Sequence, residues 1–146
     1  MITKKLLRLS LSFCLFVLLS HMAFAQSAVG LWKTLDDETG EHKSHVKVYE
    51  KDGVLYAKIT KLLLHPQDTK CSKCTGDRKD APIVGMKILW GLKKSGSTWK
   101  GGRVYDPEQG KDFVAKVWLD KKDPNKLYVR GYLGFLYRTQ TWTRVK

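Results

Sequence analysis

Two cysteines three positions apart, Cys71-Ser72-Lys73-Cys74, are the residues best placed by type and spacing to do chemistry. A Cys-x-x-Cys pair can be a structural disulfide, a dithiol made reactive by a helix N-terminus, or half of a zinc site. Its flanks, Gln67-Asp68-Thr69-Lys70 and Thr75-Gly76-Asp77-Arg78, are polar loop, and no strand-then-helix context is present to lower a thiol pKa. Zinc needs four ligands, and only the scattered His42, His45, His65 or Asp77 could complete the set. The expectation is a local disulfide between Cys71 and Cys74, ordering a turn and adding little global stability because the ring is small. Thiol–disulfide exchange is the alternative.

No other constellation assembles a reaction. The three histidines after residue 25 have no evident nucleophile, and neither a Gly-x-Ser-x-Gly nor a paired-carboxylate signature occurs. The sequence therefore reads as a non-enzyme with no cofactor. The glycine-rich run Trp99–Lys111 lacks phosphate-loop spacing, and paired Gly101-Gly102 inside a strand points to a bulge or barrel bend. Binding groups are aromatic and cationic instead: Trp90, Trp118 and Trp142, with Arg130 and Arg138 suited to a carboxylate or phosphate if they face a cavity. Leu127, Val129, Gly131 and Leu133 alternate with Tyr128, Arg130 and Tyr132, while Arg138, Gln140, Trp142 and Arg144 alternate with Tyr137, Thr139, Thr141 and Thr143. Either face of these strands could point inward, and the simpler reading leaves both arginines on the surface or in a closing clamp.

The elements that must position these groups are strands. Period-two or β-branched and aromatic runs cover Val29–Leu35, Ser44–Glu50, Val54–Leu64, Met86–Leu92, Thr98–Tyr105, Phe113–Asp120, Lys126–Leu133 and Leu136–Val145. Turn chemistry separates them: Asp52-Gly53, the stretch Lys93–Ser97, Asp106-Pro107 through Gly110, and Asp123-Pro124-Asn125. Only His65–Gly85 is long and irregular. Eight short strands on hairpin-length links predict an all-β, up-and-down antiparallel barrel, because closure removes the edges a flat sheet would expose. A β-sandwich is the alternative.

The 146 residues carry 27 Lys and Arg against 14 Asp and Glu, a formal charge of +13. Residues 1–25 read as a signal peptide, with basic Lys4, Lys5 and Arg8, an apolar Leu9–Leu19 core and cleavage after Ala23-Phe24-Ala25. That core is shorter than the ~20 residues a spanning helix needs, and no second such stretch follows. The segment removes three basic residues and no acidic ones, leaving residues 26–146 as one domain with 24 basic and 14 acidic side chains, or +10. A periplasmic or extracellular protein is expected. Its charge suits anionic envelope surfaces, but with no aromatic-interleaved basic stripe it does not suggest nucleic acid.

Closure of the barrel has its own signature. Gly30 and Trp32 open the first strand and Arg144 ends the last, so a guanidinium could stack on the indole. This resembles the Gly-x-Trp and C-terminal Arg arrangement of lipocalin barrels. Across the whole chain after residue 25, Trp32-Lys33-Thr34, Pro82-Ile83-Val84-Gly85-Met86, Trp99-Lys100-Gly101-Gly102-Arg103-Val104-Tyr105-Asp106-Pro107, Val129-Arg130-Gly131-Tyr132-Leu133-Gly134 and Arg138-Thr139-Gln140-Thr141-Trp142-Thr143-Arg144 resemble an exported bacterial family, the domain of unknown function 2147. The resemblance implies a lipocalin-like β-barrel and no established activity. The leading functional expectation is a non-enzymatic binder of a small apolar or amphiphilic ligand. An envelope-surface interaction module driven by charge is a further alternative to thiol exchange.

Overall fold

The structure is a computed structural model and describes residues 26–146. The expected signal peptide and its cleavage point lie outside the described residues. The strands are β1 (Gly30–Leu35), β2 (His42–Lys51), β3 (Val54–Leu62), β4 (Lys87–Ser95), β5 (Thr98–Asp106), β6 (Lys111–Leu119), β7 (Lys126–Leu133) and β8 (Leu136–Arg144). Each pairs antiparallel with its neighbour in sequence, and β8 returns to β1, giving a closed eight-stranded barrel. The one helical element described is a 3-10 turn at Gly76–Arg78, inside the long β3–β4 connection.

The largest departure from the strand limits read in the sequence is at the end of β4. The charged Lys93-Lys94 pair reads as turn, yet β4 continues to Ser95 and Lys93 pairs with both Val54 and Lys100. Gly96, at φ +61°, makes the reversal in two residues, and both lysines stay exposed at the rim, so their charge does not oppose strand pairing. The Gly101-Gly102 pair lies where the β5–β6 register shifts. A Cβ on Gly102 would run into the backbone carbonyl of Trp90, so only glycine lets β5 lie this close to β4. β4 is irregular opposite it: Gly91 has φ +73°, and Leu89 and Leu92, three apart, both point inward.

Inward side chains differ between the two ends of the barrel. Around the end that carries the β2–β3, β4–β5 and β6–β7 turns, Trp32, Val48, Leu55, Leu92, Val117 and Leu127 are almost wholly buried and fill the interior. Leu89, Val46 and Trp142 continue this core upward. The opposite end carries the β1–β2, β3–β4, β5–β6 and β7–β8 connections and is not filled.

Closure is local. β1 and β8 pair only at Trp32–Arg144 and Lys33–Thr143. Beneath this seam the Arg144 guanidinium stacks 4.2 Å from the Trp32 ring and donates to the carbonyls of Val29 (3.0 Å), Ser27 (2.8 Å) and Pro124 (3.2 Å). The Trp32 indole N–H donates to Ala28, 2.9 Å away. Gly30 has φ +148°, and a Cβ there would lie 2.5 Å from Arg144 Nη1.

Candidate functional site

A cavity of about 300 Å³ occupies the unfilled end. Its floor is Trp142 and Val129, and its apolar wall includes Ile59, Ile88, Val104 and Phe113. Leu133, Leu136 and Tyr137 of the β7–β8 hairpin form one side of the mouth. These positions continue the inward alternation of strands whose lower halves are packed solid. Space opens because Gly131, Thr34 and Ser44 fill less of the lumen than the tryptophans below. A Cβ on Gly131 would sit only 3.2 Å from Phe113 Cβ and 3.3 Å from Val104 Cγ1.

The opposite wall is polar, and its groups are already engaged. The Thr34 and Ser44 hydroxyls share a 2.6 Å hydrogen bond on the buried side of β1 and β2. A chain of bonds then crosses from β8 to the β1–β2 turn. The Trp142 indole N–H donates to Gln140 Oε1 (3.2 Å), Gln140 Nε2 donates to Asp37 Oδ2 (2.8 Å), and the Arg138 guanidinium pairs with the same carboxylate. Asp37 therefore links β1 and β8 above the point where their backbone pairing stops. The turn carrying it is held by Asp36, whose Oδ1 accepts the N–H groups of Glu38 and Thr39, both at 2.9 Å. The Thr39 bond is foremost in holding the Asp36 carboxyl below its ordinary value of 3.8. Lys43, also at the mouth, is paired with Glu108 at 3.1 Å. The mouth thus holds cations neutralised by carboxylates that an incoming anion could displace.

The long β3–β4 connection buttresses this mouth from outside. Cys71 and Cys74 are joined in a disulfide and buried. The Cys71 N–H donates to Ala81 O (2.8 Å), and Asp80 N–H donates to Cys71 O (3.0 Å). The loop lies on the β5–β6 turn so tightly that a Cβ on Gly110 would meet the carbonyl of Lys73. Arg78 sits between Trp90 and Tyr105, 4.8 and 4.1 Å from the two rings. Tyr105, Asp106 and Pro107 face the cavity, so the loop braces the wall from behind. Among the described residues no α-helix follows the cysteines, and both are buried, so neither has the helix N-terminus or the exposure that makes a thiol reactive.

Of the residues singled out for ligand binding, Arg138 and Trp142 line the cavity. Trp90, Trp118 and Arg130 do not: Trp90 packs under Arg78, while Trp118 and Arg130 lie on the outer face with Tyr128, where Arg130 stacks 5.0 Å from Trp118. Gly30, Trp32 and Arg144 meet at the closed end. Asp37, Thr34, Ser44 and Gln140 escaped the reading. The signal for the last three is their period-two spacing from Trp32, Val46 and Trp142; none existed for Asp37, which reaches Arg138 from a turn about a hundred residues away in sequence.

With this geometry in hand, kinship can be stated. The model of the bacterial family described as "Uncharacterized protein conserved in bacteria (DUF2147)" matches residues 30–144, from the first residue of β1 to the last of β8. The chain belongs to this family. DUF2147 thus covers the complete barrel, the disulfide loop and every residue of the cavity. No curated protein matches the chain in sequence. Among solved structures it is similar to protein HP1028 of Helicobacter pylori, described as belonging to the lipocalin family, at 21% identity and a TM-score of 0.70, over 82% of this chain and 84% of that one. At that identity the likeness is one of fold, and for this DUF2147 chain it is the lipocalin-like barrel.

Proposed function

We propose that this barrel is a non-enzymatic carrier that holds one small amphiphilic molecule in its open end. The observation that carries the reading is the division of the cavity into an apolar floor and wall (Trp142, Val129, Ile59, Ile88) and a hydrogen-bonding wall (Thr34, Ser44, Gln140, Arg138). A volume of about 300 Å³ is at the small end of ligand pockets and suits a single short tail with one polar head. The tail would displace water from the floor, and the head would bond to the Arg138–Gln140 side. The leader-like N-terminus and the disulfide support action outside the cytoplasm.

The test is native mass spectrometry of protein purified gently from its host, followed by titration with single-chain fatty acids, alcohols and lysolipids. One small adduct per chain is expected, together with saturable binding that quenches tryptophan emission through Trp142. Val129→Phe, which fills the floor, should abolish both while the barrel still melts cooperatively. Ligand-free spectra together with no saturable binding across the panel would overturn the proposal.

A further inference from the structure

The outer face of β6–β8 carries a pattern that neither the barrel nor its cavity requires. The β7–β8 turn ends in an apolar tip, with Phe135 93% exposed and Leu133 and Leu136 at 67% and 61%. Below it, Tyr132 pairs across the sheet with Val114 on one side and Tyr137 on the other, and the two tyrosine rings lie 5.9 Å apart. The next outward row is Lys116 opposite Arg130, followed by Trp118 stacked on Tyr128. Successive rows on one strand face are about 7 Å apart. From the tip downward the face runs apolar tip, tyrosines, cations, and then the Trp118–Tyr128 pair.

Like charges directly opposite on paired strands cost stability. Lys116 and Arg130 keep that arrangement, and among the described residues neither forms an ion pair. Arg130 is held instead by the rings of Tyr137 (4.2 Å) and Trp118 (5.0 Å) and by its bond to the Thr139 hydroxyl (2.7 Å). Of the acids near this outer face, Asp112 is taken by Arg103 at 2.6 Å, and Asp120, beyond the cations at the far end, accepts the Tyr128 hydroxyl at 2.7 Å. A pre-oriented cation row without carboxylates fits an anionic partner. Its order fits an anionic bilayer: with the tip sunk about 5–10 Å, the tyrosines would lie among head groups and the cations at the phosphates.

We propose that the β7–β8 hairpin docks the protein, cavity mouth first, on an anionic membrane surface. Leu133, Leu136 and Tyr137 also line the mouth, so docking sets the cavity opening against the lipid. A second copy is a poorer occupant, because a symmetric contact through this face would bring two Lys116–Arg130 rows together. The docking inference rests on the outer face and stands whether or not the cavity takes a ligand.

The experiment is co-flotation of the protein, as its host processes it, with vesicles of phosphatidylcholine alone or mixed with phosphatidylglycerol. Binding is expected to the mixed vesicles and to weaken as salt rises. Phe135→Ser should weaken it about tenfold, with melting unchanged because the ring is almost fully exposed. Lys116→Gln should weaken it about fivefold, and Lys121→Gln, in the β6–β7 turn at the other end, by less than about twofold. Val129→Phe should float like the parent, which separates this inference from the ligand reading. No flotation, flotation indifferent to Phe135→Ser, or equal losses from Lys116→Gln and Lys121→Gln would overturn it. So would a dimer that Phe135→Ser dissociates, since the face would then join two copies.

Discussion

The closed end of the barrel makes a quantitative prediction about Arg144. Its guanidinium donates to three backbone carbonyls and covers the face of Trp32, which is itself 0% exposed. The carbonyls are near the surface, so water can replace a lost donor, and each bond is worth about 0.5–1 kcal/mol net. The stacked cation adds about 1 kcal/mol. Arg144→Ala should therefore cost about 2–4 kcal/mol, lowering the melting temperature by roughly 8–16 °C for a domain of this size. Arg144→Lys should recover little, because an ammonium cannot reach three carbonyls and lie flat on an indole together. Gly30→Ala perturbs the same clamp from the other side. Its cost has a backbone part, about 1–2 kcal/mol for alanine at φ +148°, and a part from driving the guanidinium off its bonds. The second part vanishes once Arg144 is gone. In urea unfolding the double variant should lose about 1–2 kcal/mol less than the two singles together. Strict additivity, or a loss below about 1 kcal/mol for Arg144→Ala, would falsify the clamp as the device that closes the barrel.

Three further outcomes follow from the site and its supports. Asp37→Asn frees Arg138 from its carboxylate, so a carboxylate-headed ligand should bind about tenfold tighter while a neutral alcohol does not, as read by titration of tryptophan quenching. His45, half-buried on β2, is held below its ordinary 6.5 first by burial and then by Lys61, Lys33 and His42. The unfolded chain thus takes up its proton before the native protein does, and this contribution to stability is complete above pH 6.5 and is lost as pH falls through the lowered native value. The urea midpoint should decline between about pH 7 and 5, and His45→Gln should flatten that part of the curve, most directly checked beside an NMR titration of the imidazole. Reducing Cys71–Cys74 should cost less than about 2 kcal/mol, because the bond spans a sequence separation of only three. Faster amide exchange should be confined to residues 63–86 and the β5–β6 turn they brace.

The barrel was legible because local signals agree with one another. Alternating runs and Asp-Gly and Asp-Pro turns call for short antiparallel strands, and the Gly30-Trp32 and Arg144 pair favours closing them into a barrel over the alternative sandwich. The cavity was only half legible. Alternation puts Gln140 and Trp142 on one face and Tyr137, Thr139 and Thr141 on the other, and both faces mix polar and apolar groups. What decides the inward face of β8 is Trp142, whose burial carries Arg138 and Gln140 to its own side of the sheet. Arg130 shows the converse. In sequence it resembles Arg138, but it shares a face with Tyr128 and Tyr132, while Val129 and Leu127 take the core.

The same logic explains the stretch Trp99–Pro107, which carries much of the family resemblance. Trp99 packs in the filled end, and Gly102 lets β5 approach the β4 backbone. Arg103 ties β5 to Asp112 on β6 outside the barrel, and from Val104 onward the residues turn to the cavity wall and mouth. One strand therefore sets the core, the bend and the rim in order along its length. A change at Gly102 would act on the cavity through β4–β5 packing, whereas a change at Val104 would alter its wall directly. A family motif of this kind marks how the mouth is built, while the charged and polar groups linked at that mouth, Asp37, Gln140 and Arg138, come from elsewhere, two of them on the last strand and the third on the first turn.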